Sequence, residues 1–312
     1  MEVYKFTDND EKIEIRRRKF EETNEMDDVI AELEIAHITL DILEEQRKLQ
    51  LRRERHLLEK LVTSTLPPRV ANQLLQYGEV RSESYENVTL FFSDIVGYTQ
   101  VAAASSDLGV KNMLNTIYHL FDSVVEHYGV YKIETIGDAY VAVAGCPEFT
   151  DSLIHCETMC RMSIHLLKAF RELTIQHPAF SGLQIRIGLH TGNVVAGVVG
   201  RLMPRYCLFG DAVNTCSRME STSEPMKIHI SQSVVDMLTQ KGARMPGFRV
   251  EKRKPVELKG KGRMQTYWLN DEDQGSSGDG KKNAQKPGFL SNMVKAVHKR
   301  WNNVKIKQDQ YL

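Results

Sequence analysis

VTLFFSDIVGYT, residues Val88 to Thr99, is the stretch from which the rest of the chain can be read. An apolar run ends on a carboxylate and turns at once through Gly97. This predicts a buried strand that delivers Asp94 to its carboxyl edge, with backbone N–H groups free near Gly97 and Thr99. Such a setting suits a metal ion carrying phosphates. One carboxylate does not hold that ion alone. The second candidate is Asp138, in YKIETIGDAYVAVAG, where two β-rich runs flank Gly137 and Asp138 in the pattern of a hairpin with a tight turn. Between the two stretches, Val110, Met113, Leu114, Ile117, Phe121, Val124 and Val125 recur at helical spacing. A strand, a helix of this length and a returning strand form a crossover unit that lays the two strands side by side. Asp94 and Asp138 are then expected to meet at one edge.

The 312 residues carry 41 Lys and Arg against 41 Asp and Glu, so bulk charge gives no argument for nucleic-acid binding. With 41% hydrophobic residues the chain can bury one mid-sized core plus appendages. Cys146, Cys156, Cys160, Cys207 and Cys216 are an odd set without zinc-site or disulfide-framework spacing, and read as reduced intracellular thiols. No apolar run approaches the ~20 residues needed to span a bilayer, and MEVYKFTDNDEK is no signal peptide. The expectation is a soluble cytoplasmic chain, or the cytosolic part of a larger receptor.

Residues 1–25 are charged and carry no pattern. Over 26–66, Met26, Leu33, Leu40 and Leu61 share one heptad phase, and Val29, Ala36, Leu43 and Leu57 fall three residues after it. This is the a/d seam of a coiled coil, weakened where Arg47, Gln50 and Glu54 occupy the same phases. The alternative is a solvated helix packing on its own domain. Pro67 and Pro68 end the helix, and 67–85 reads as a linker with a short helix.

Leu153, Cys156, Cys160, Leu167 and Phe170 line one helical stripe, so the two thiols read as core. LQIRIGLHTGNVVAGVVG reads as two strands around a turn at Thr191 to Asn193, with Arg186 on the face opposite Ile185 and Ile187. His190 reads as structural. In RYCLFGDAVNTCSRMEST a strand ends at Gly210, Asp211 reads as the N-cap, and a helix carries Asn214 and Arg218 on one face. An amide beside a guanidinium suits a sugar hydroxyl and a phosphate oxygen; the pair could also simply face water. Lys259 and Lys261 bracket Gly260 in a hairpin where an ammonium can lean toward an anion. Residues 271–287 read as a flexible linker. Over 288–312, Leu290, Met293, Val294, Val297, Trp301 and Val304 form an amphipathic stripe among Lys295, Lys299, Arg300, Lys305 and Lys307. That helix either meets calmodulin, an anionic membrane surface or a partner helix, or folds back on its own domain.

FFSDIVGYT, KIETIGDAYV, GLHTGNVVAGVVG, MPRYCLFGDAVNTCSRMEST and ELKGKGRMQTYWL, in this order, resemble the catalytic domain of a eukaryotic guanylyl cyclase of the class III nucleotidyl cyclases. LPPRVANQL and the helix before it resemble the signalling helix that precedes that domain. The resemblance implies a ferredoxin-like α/β sandwich (α+β) over 86–270 that works as a homodimer, with sites in the cleft between subunits. It assigns Asp94, Asp138 and the backbone carbonyl of Ile95 to two Mg²⁺ ions, for which Mn²⁺ can substitute. It assigns Thr99 and Arg186 to the terminal phosphates of GTP, Lys259 to the triphosphate, Asn214 to the ribose and Arg218 to charge on the α-phosphate. Glu134 and Cys207 fall at the guanine-selecting positions, where adenylyl cyclases carry lysine and aspartate. Glu134 can accept from guanine N1–H and N2–H, and the Cys207 thiol can donate to O6. The activity implied is conversion of GTP to cyclic GMP and pyrophosphate. An adenylyl or mixed-specificity cyclase, and a non-catalytic dimerisation scaffold, are the readings set against it.

Overall fold

In the computed structural model the described residues are 25–149, 151–176, 180–200, 202–240, 247–272, 288, 290–297 and 299. Two compact units divide between Glu79 and Val80.

The first unit holds α1 (Glu25–Thr63) and α2 (Pro68–Tyr77). The helix α1 ends before the two prolines because the hydroxyls of Thr63, Ser64 and Thr65 turn back onto the carbonyls of Glu59, Leu61 and Val62. Side-chain bonds of this kind compete with continuation of the helix. Pro68 opens α2, and Gly78 closes it in the left-handed conformation at φ 74°. Along α1 the seam residues Leu33, Leu40, Leu43, Leu57 and Leu61 are all more than half exposed in the single chain.

The second unit begins with β1 (Glu83–Ile95), followed by α3 (Tyr98–Ala104), α4 (Asp107–His127), β2 (Tyr131–Ile136), β3 (Ala139–Ala144) and α5 (Ser152–Gln176). It continues with β4 (Ile185–Val199), β5 (Arg205–Phe209), α6 (Asp211–Ser221), β6 (Ile228–Ser231), α7 (Gln232–Thr239), β7 (Phe248–Lys252), β8 (Val256–Leu258), β9 (Gly262–Met264) and β10 (Thr266–Asp271). One sheet runs in the order β2-β3-β1-β4-β6-β10-β7, with β5 added against β4; β8 and β9 form a separate hairpin. Its pairs are antiparallel except β4 with β6.

Side chains of α4, α5 and α7 pack one face of the sheet, with Ile117, Leu120, Phe121, Met159, Cys160, Phe170 and Val234 against Phe91, Tyr140, Ile187 and Ile230. Cys156 and Cys160 are both core residues, as their stripe predicts. Five cysteines are free thiols. No described helix is long and apolar enough to cross a membrane.

Two local expectations are corrected, and one left open is decided. The crossover from β1 through α4 does not lay β2 beside β1: the hairpin turns first, and β3 returns antiparallel between them, Phe91 opposite Ala142. The β3 arm is almost wholly apolar and buried, whereas β2 is half-exposed, so β3 takes the interior position. Second, no turn interrupts Thr191 to Asn193, because β4 runs unbroken for 15 residues and pairs along the length of β1. Its glycines serve α6 instead. A Cβ on Gly188 would stand 2.1 Å from the backbone nitrogen of Glu220, and one on Gly192 would lie 2.9 Å from the Ala212 Cβ. Only glycine lets the helix lie this close on the strand. Of the readings left open for the basic tail, folding back on its own domain holds for residues 290–297. Residues 290–297 are helical, Val294 and Val297 are buried in the domain core, and Leu290 and Met293 pack against it. Lys295 and Lys299 are exposed. Trp301, Val304, Lys305 and Lys307, residues 1–24 and most of the 271–287 linker lie outside the described residues.

Candidate active site

The carboxyl end of β1 and the β2–β3 turn bring the two predicted carboxylates together. Residues Gly137 and Asp138 make the tight turn, Gly137 at φ 62°, where glycine carries no Cβ penalty. The Asp138 Oδ2 accepts from the Ile95 N–H at 3.2 Å. Burial, and then the adjacent Asp94 carboxylate, push Asp138 up to about 6. From α4, the Tyr118 hydroxyl donates to the Gly137 carbonyl and pins the turn.

On the neighbouring strand, Arg186 stands directly opposite Asp94. Its Nη2 donates to Asp94 Oδ2 at 2.7 Å, and its Nε lies 3.2 Å from Glu220 Oε1 on α6. Glu220 is a site residue that the sequence reading missed. The signal was present: Ala212, Thr215, Cys216, Met219 and Glu220 follow the helical spacing of one face, and all five are buried. Burial raises Glu220 to about 7, with Arg186 pulling it down and Asp94 and Asp138 pushing it up.

Among the described residues, no group of three or more His, Cys, Asp or Glu side chains could hold a metal ion. Two adjacent carboxylates are an all-oxygen, incomplete donor set. This fits a hard divalent ion whose remaining ligands come from phosphates and water. Just beyond Gly97 (φ 72°), Thr99 is exposed in the first turn of α3, where N–H groups have no intrahelical acceptor.

A second group of predicted residues lies on other elements. Glu134 on β2 and Cys207 on β5 are both half-exposed. Their strands are tied by the edge-on rings of Tyr131 and Tyr206, 5.9 Å apart. The Cys207 thiol is pushed up by burial and by the Glu134 carboxylate, while Arg205 pulls it down. Opposite Cys207 stands Gly197, flanked on the same face by Val195, Val199 and Phe209, each about half exposed.

Asn214 and Arg218 share the face of α6 turned away from the sheet, Asn214 exposed and Arg218 half-buried. The N-cap of α6 is Gly210 at φ 136°, not Asp211 as its position suggested. Asp211 is the first helical residue and pairs with Lys261 of the β8–β9 turn. Lys259, in the same turn, is exposed. No contact among the described residues joins Asp94, Asp138 or Arg186 to Glu134, Cys207, Asn214, Arg218 or Lys259. His190 is structural: its Nδ1 lies 2.8 Å from the Ser231 hydroxyl and 3.2 Å from that of Ser233, and burial lowers it to about 4.

Residues 80–271 match the family model described as the adenylate and guanylate cyclase catalytic domain. The chain is 45% identical over 252 residues to receptor-type guanylate cyclase gcy-28 of Caenorhabditis elegans, covering 81% of this chain but only 19% of that relative. The guanylate cyclase domain of RhGC from Catenaria anguillulae, solved in complex with GTP, superposes with a TM-score of 0.55 at 40% identity, over 61% of this chain and 98% of that one. A rhodopsin-guanylyl cyclase catalytic core with converted specificity, solved with ATPalphaS, superposes with a TM-score of 0.56 at 38% identity, over 62% and 100%. The family match spans the carboxylate edge, the strands that carry Glu134 and Cys207, and α6 together: the chain belongs to the adenylate and guanylate cyclase catalytic domains.

Proposed function

We propose that the chain is a guanylyl cyclase that converts GTP to cyclic GMP and pyrophosphate, with each site shared between two copies. The observation that carries this reading is the division of labour within one chain. A carboxylate pair is built into the end of β1, while a guanine-matching pair and a ribose/α-phosphate pair are displayed on separate faces.

Asp94, Asp138 and the Ile95 carbonyl hold the divalent ions, which when bound acidify the ribose 3′-hydroxyl and neutralise the leaving pyrophosphate. Mg²⁺ fits the oxygen donors, and Mn²⁺ substitutes. Arg186 and Thr99 grip the terminal phosphates, and Lys259 adds charge along the triphosphate. Asn214 orients the ribose so that its 3′-oxygen faces the α-phosphorus, and Arg218 meets the charge that grows on the α-phosphate oxygens. Glu134 accepts from guanine N1–H and N2–H. Adenine offers no such donors at that edge and would leave the carboxylate unpaired; sites of this kind discriminate by up to about 10⁴–10⁵.

A homodimer completes two such sites. The exposed Val195, Val199 and Phe209 around Cys207 give an apolar surface continuous with the base pocket, and the exposed leucine seam of α1 provides a second dimer contact. The chain spans about a fifth of the length of gcy-28. The test is turnover of GTP and of ATP, separately, in Mg²⁺ and in Mn²⁺. Cyclic GMP with little cyclic AMP is expected; equal use of both nucleotides would remove the base assignment, and no product from a folded dimer would favour the scaffold reading.

A further inference from the structure

Among the described residues Glu220 is the only buried carboxylate. A carboxylate withdrawn from water is costly unless a cation faces it, and the cation here is Arg186, whose Nε lies 3.2 Å from Glu220 Oε1. Both atoms are buried and neither makes a hydrogen bond to a described residue, so the contact between them is an ion pair by proximity, without hydrogen-bond geometry. The opposite arm of the same guanidinium reaches Asp94 at 2.7 Å.

The separation between Glu220 and β4 is fixed by backbone rather than by adaptable side chains. Gly188 brings the strand so close that any Cβ would meet the Glu220 nitrogen at 2.1 Å. The helix is also tied down by the Cys216 thiol, which contacts the carbonyls of Leu90 and Gly188 at 3.2 and 3.3 Å. Glu220 is therefore an anchor, fixed at its backbone, behind a side chain that is otherwise held only through its Nη2 by Asp94.

We propose that Glu220 is a positioning residue: it clamps the Nε end of Arg186 so that the Nη groups stay at the carboxylate edge, aimed at the terminal phosphates of the substrate. This inference rests on the cyclase reading, in which Arg186 is a phosphate ligand. Without Glu220 the guanidinium keeps only Asp94, a group committed to the metal ions, and loses the contact that fixes its orientation.

The experiment uses the full chain and pyrophosphate, the smallest probe of the triphosphate site, whose binding in Mg²⁺ is read by calorimetry without turnover. Arg186→Ala should weaken pyrophosphate binding about 10–100-fold. Glu220→Gln should weaken it about 10-fold and raise KM for GTP in parallel, with a smaller change in kcat. The double variant should bind no more weakly than Arg186→Ala alone, because Glu220 acts only through Arg186. Additive losses, or unchanged binding by Glu220→Gln alongside a loss in Arg186→Ala, would overturn the positioning role and leave the cyclase reading intact. Unchanged binding by Arg186→Ala would instead remove Arg186 from the phosphate site. Should Glu220→Gln not fold, Glu220→Asp, which keeps the charge on a shorter arm, replaces it in the same cycle with the same non-additivity expected; additive losses there too would overturn the proposal.

Discussion

The carboxylate edge of β1 and the outer face of α6 carry the two halves of the candidate site and are built in opposite ways. At the edge, charged groups are held by their own chain: Asp94 by Arg186, Arg186 by Glu220, and Asp138 by the Ile95 N–H. On the outer face, Asn214, Arg218 and Lys259 make no such hydrogen bond or ion pair among the described residues; Asn214 and Lys259 are exposed and Arg218 is half-buried. The first half is preorganised within one subunit. The second stands open, and in the proposed function it is completed by the carboxylate edge of a second copy.

This contrast can be broken most forcefully at its two poles. Asp94→Ala should lower turnover by more than about a thousandfold, since in the proposed function it removes a ligand of the divalent ions. Arg218→Ala should cost about 10²–10³-fold, the usual loss of one preorganised donor. The two halves should also differ in stability. Arg186→Ala leaves Asp94, Asp138 and Glu220 together without their cation and should destabilise the metal-free chain by about 1–3 kcal/mol in urea unfolding. Arg218→Ala, at a half-buried position with no ion pair among the described residues, should stay within about 0.5 kcal/mol of the parent. Equal stability losses would erase the distinction between a built half and a displayed one.

Next in size is base choice. Glu134→Lys with Cys207→Asp should lower the GTP-to-ATP preference by at least about a hundredfold in kcat/KM, because a lysine can donate where the carboxylate accepted. An unchanged preference would mean that these residues do not face the base.

The smallest effect sharpens the contrast through pH. Glu220 sits at about 7 in the folded chain against 4.5 in its ordinary state. The folded form therefore holds a proton that the unfolded form releases, and this group's contribution to stability falls as pH rises from about 4.5 to about 7. Glu220→Gln lacks that loss. Relative to the parent, its metal-free stability should gain about 1–2 kcal/mol between pH 5 and 7.5, measured by urea unfolding at each pH. Arg218→Ala should show no comparable change.

Much of the built half was legible in the sequence. A strand ending on Asp94 and a Gly137–Asp138 turn are local signals, and local chemistry decides where both carboxylates go. Pairing was less legible, because the choice of β3 over β2 as the neighbour of β1 depends on which hairpin arm is buried on both faces. Gly188 and Gly192 mimic turn residues in sequence, although their role is to admit a helix backbone onto β4. Glu220 was hidden for a related reason: a glutamate near a helix end reads as solvent-facing until its inward face is counted. The tail stripe could equally serve a partner or its own domain, and the core that receives Val294 is assembled from distant segments. Glu134 and Cys207 stood out only through family resemblance, since neither has a local pattern that marks a base pocket.

The most direct test of a site shared between two copies is complementation. Chains carrying Asp94→Ala and chains carrying Arg218→Ala, each inactive alone, are mixed and allowed to exchange subunits. Each heterodimer then holds one intact site, and an equal mixture should recover about a quarter of the parental cyclic GMP production, as two-fold symmetry requires. No recovery, with heterodimers demonstrated in the mixture, would contradict the account and place both halves of the site within a single chain.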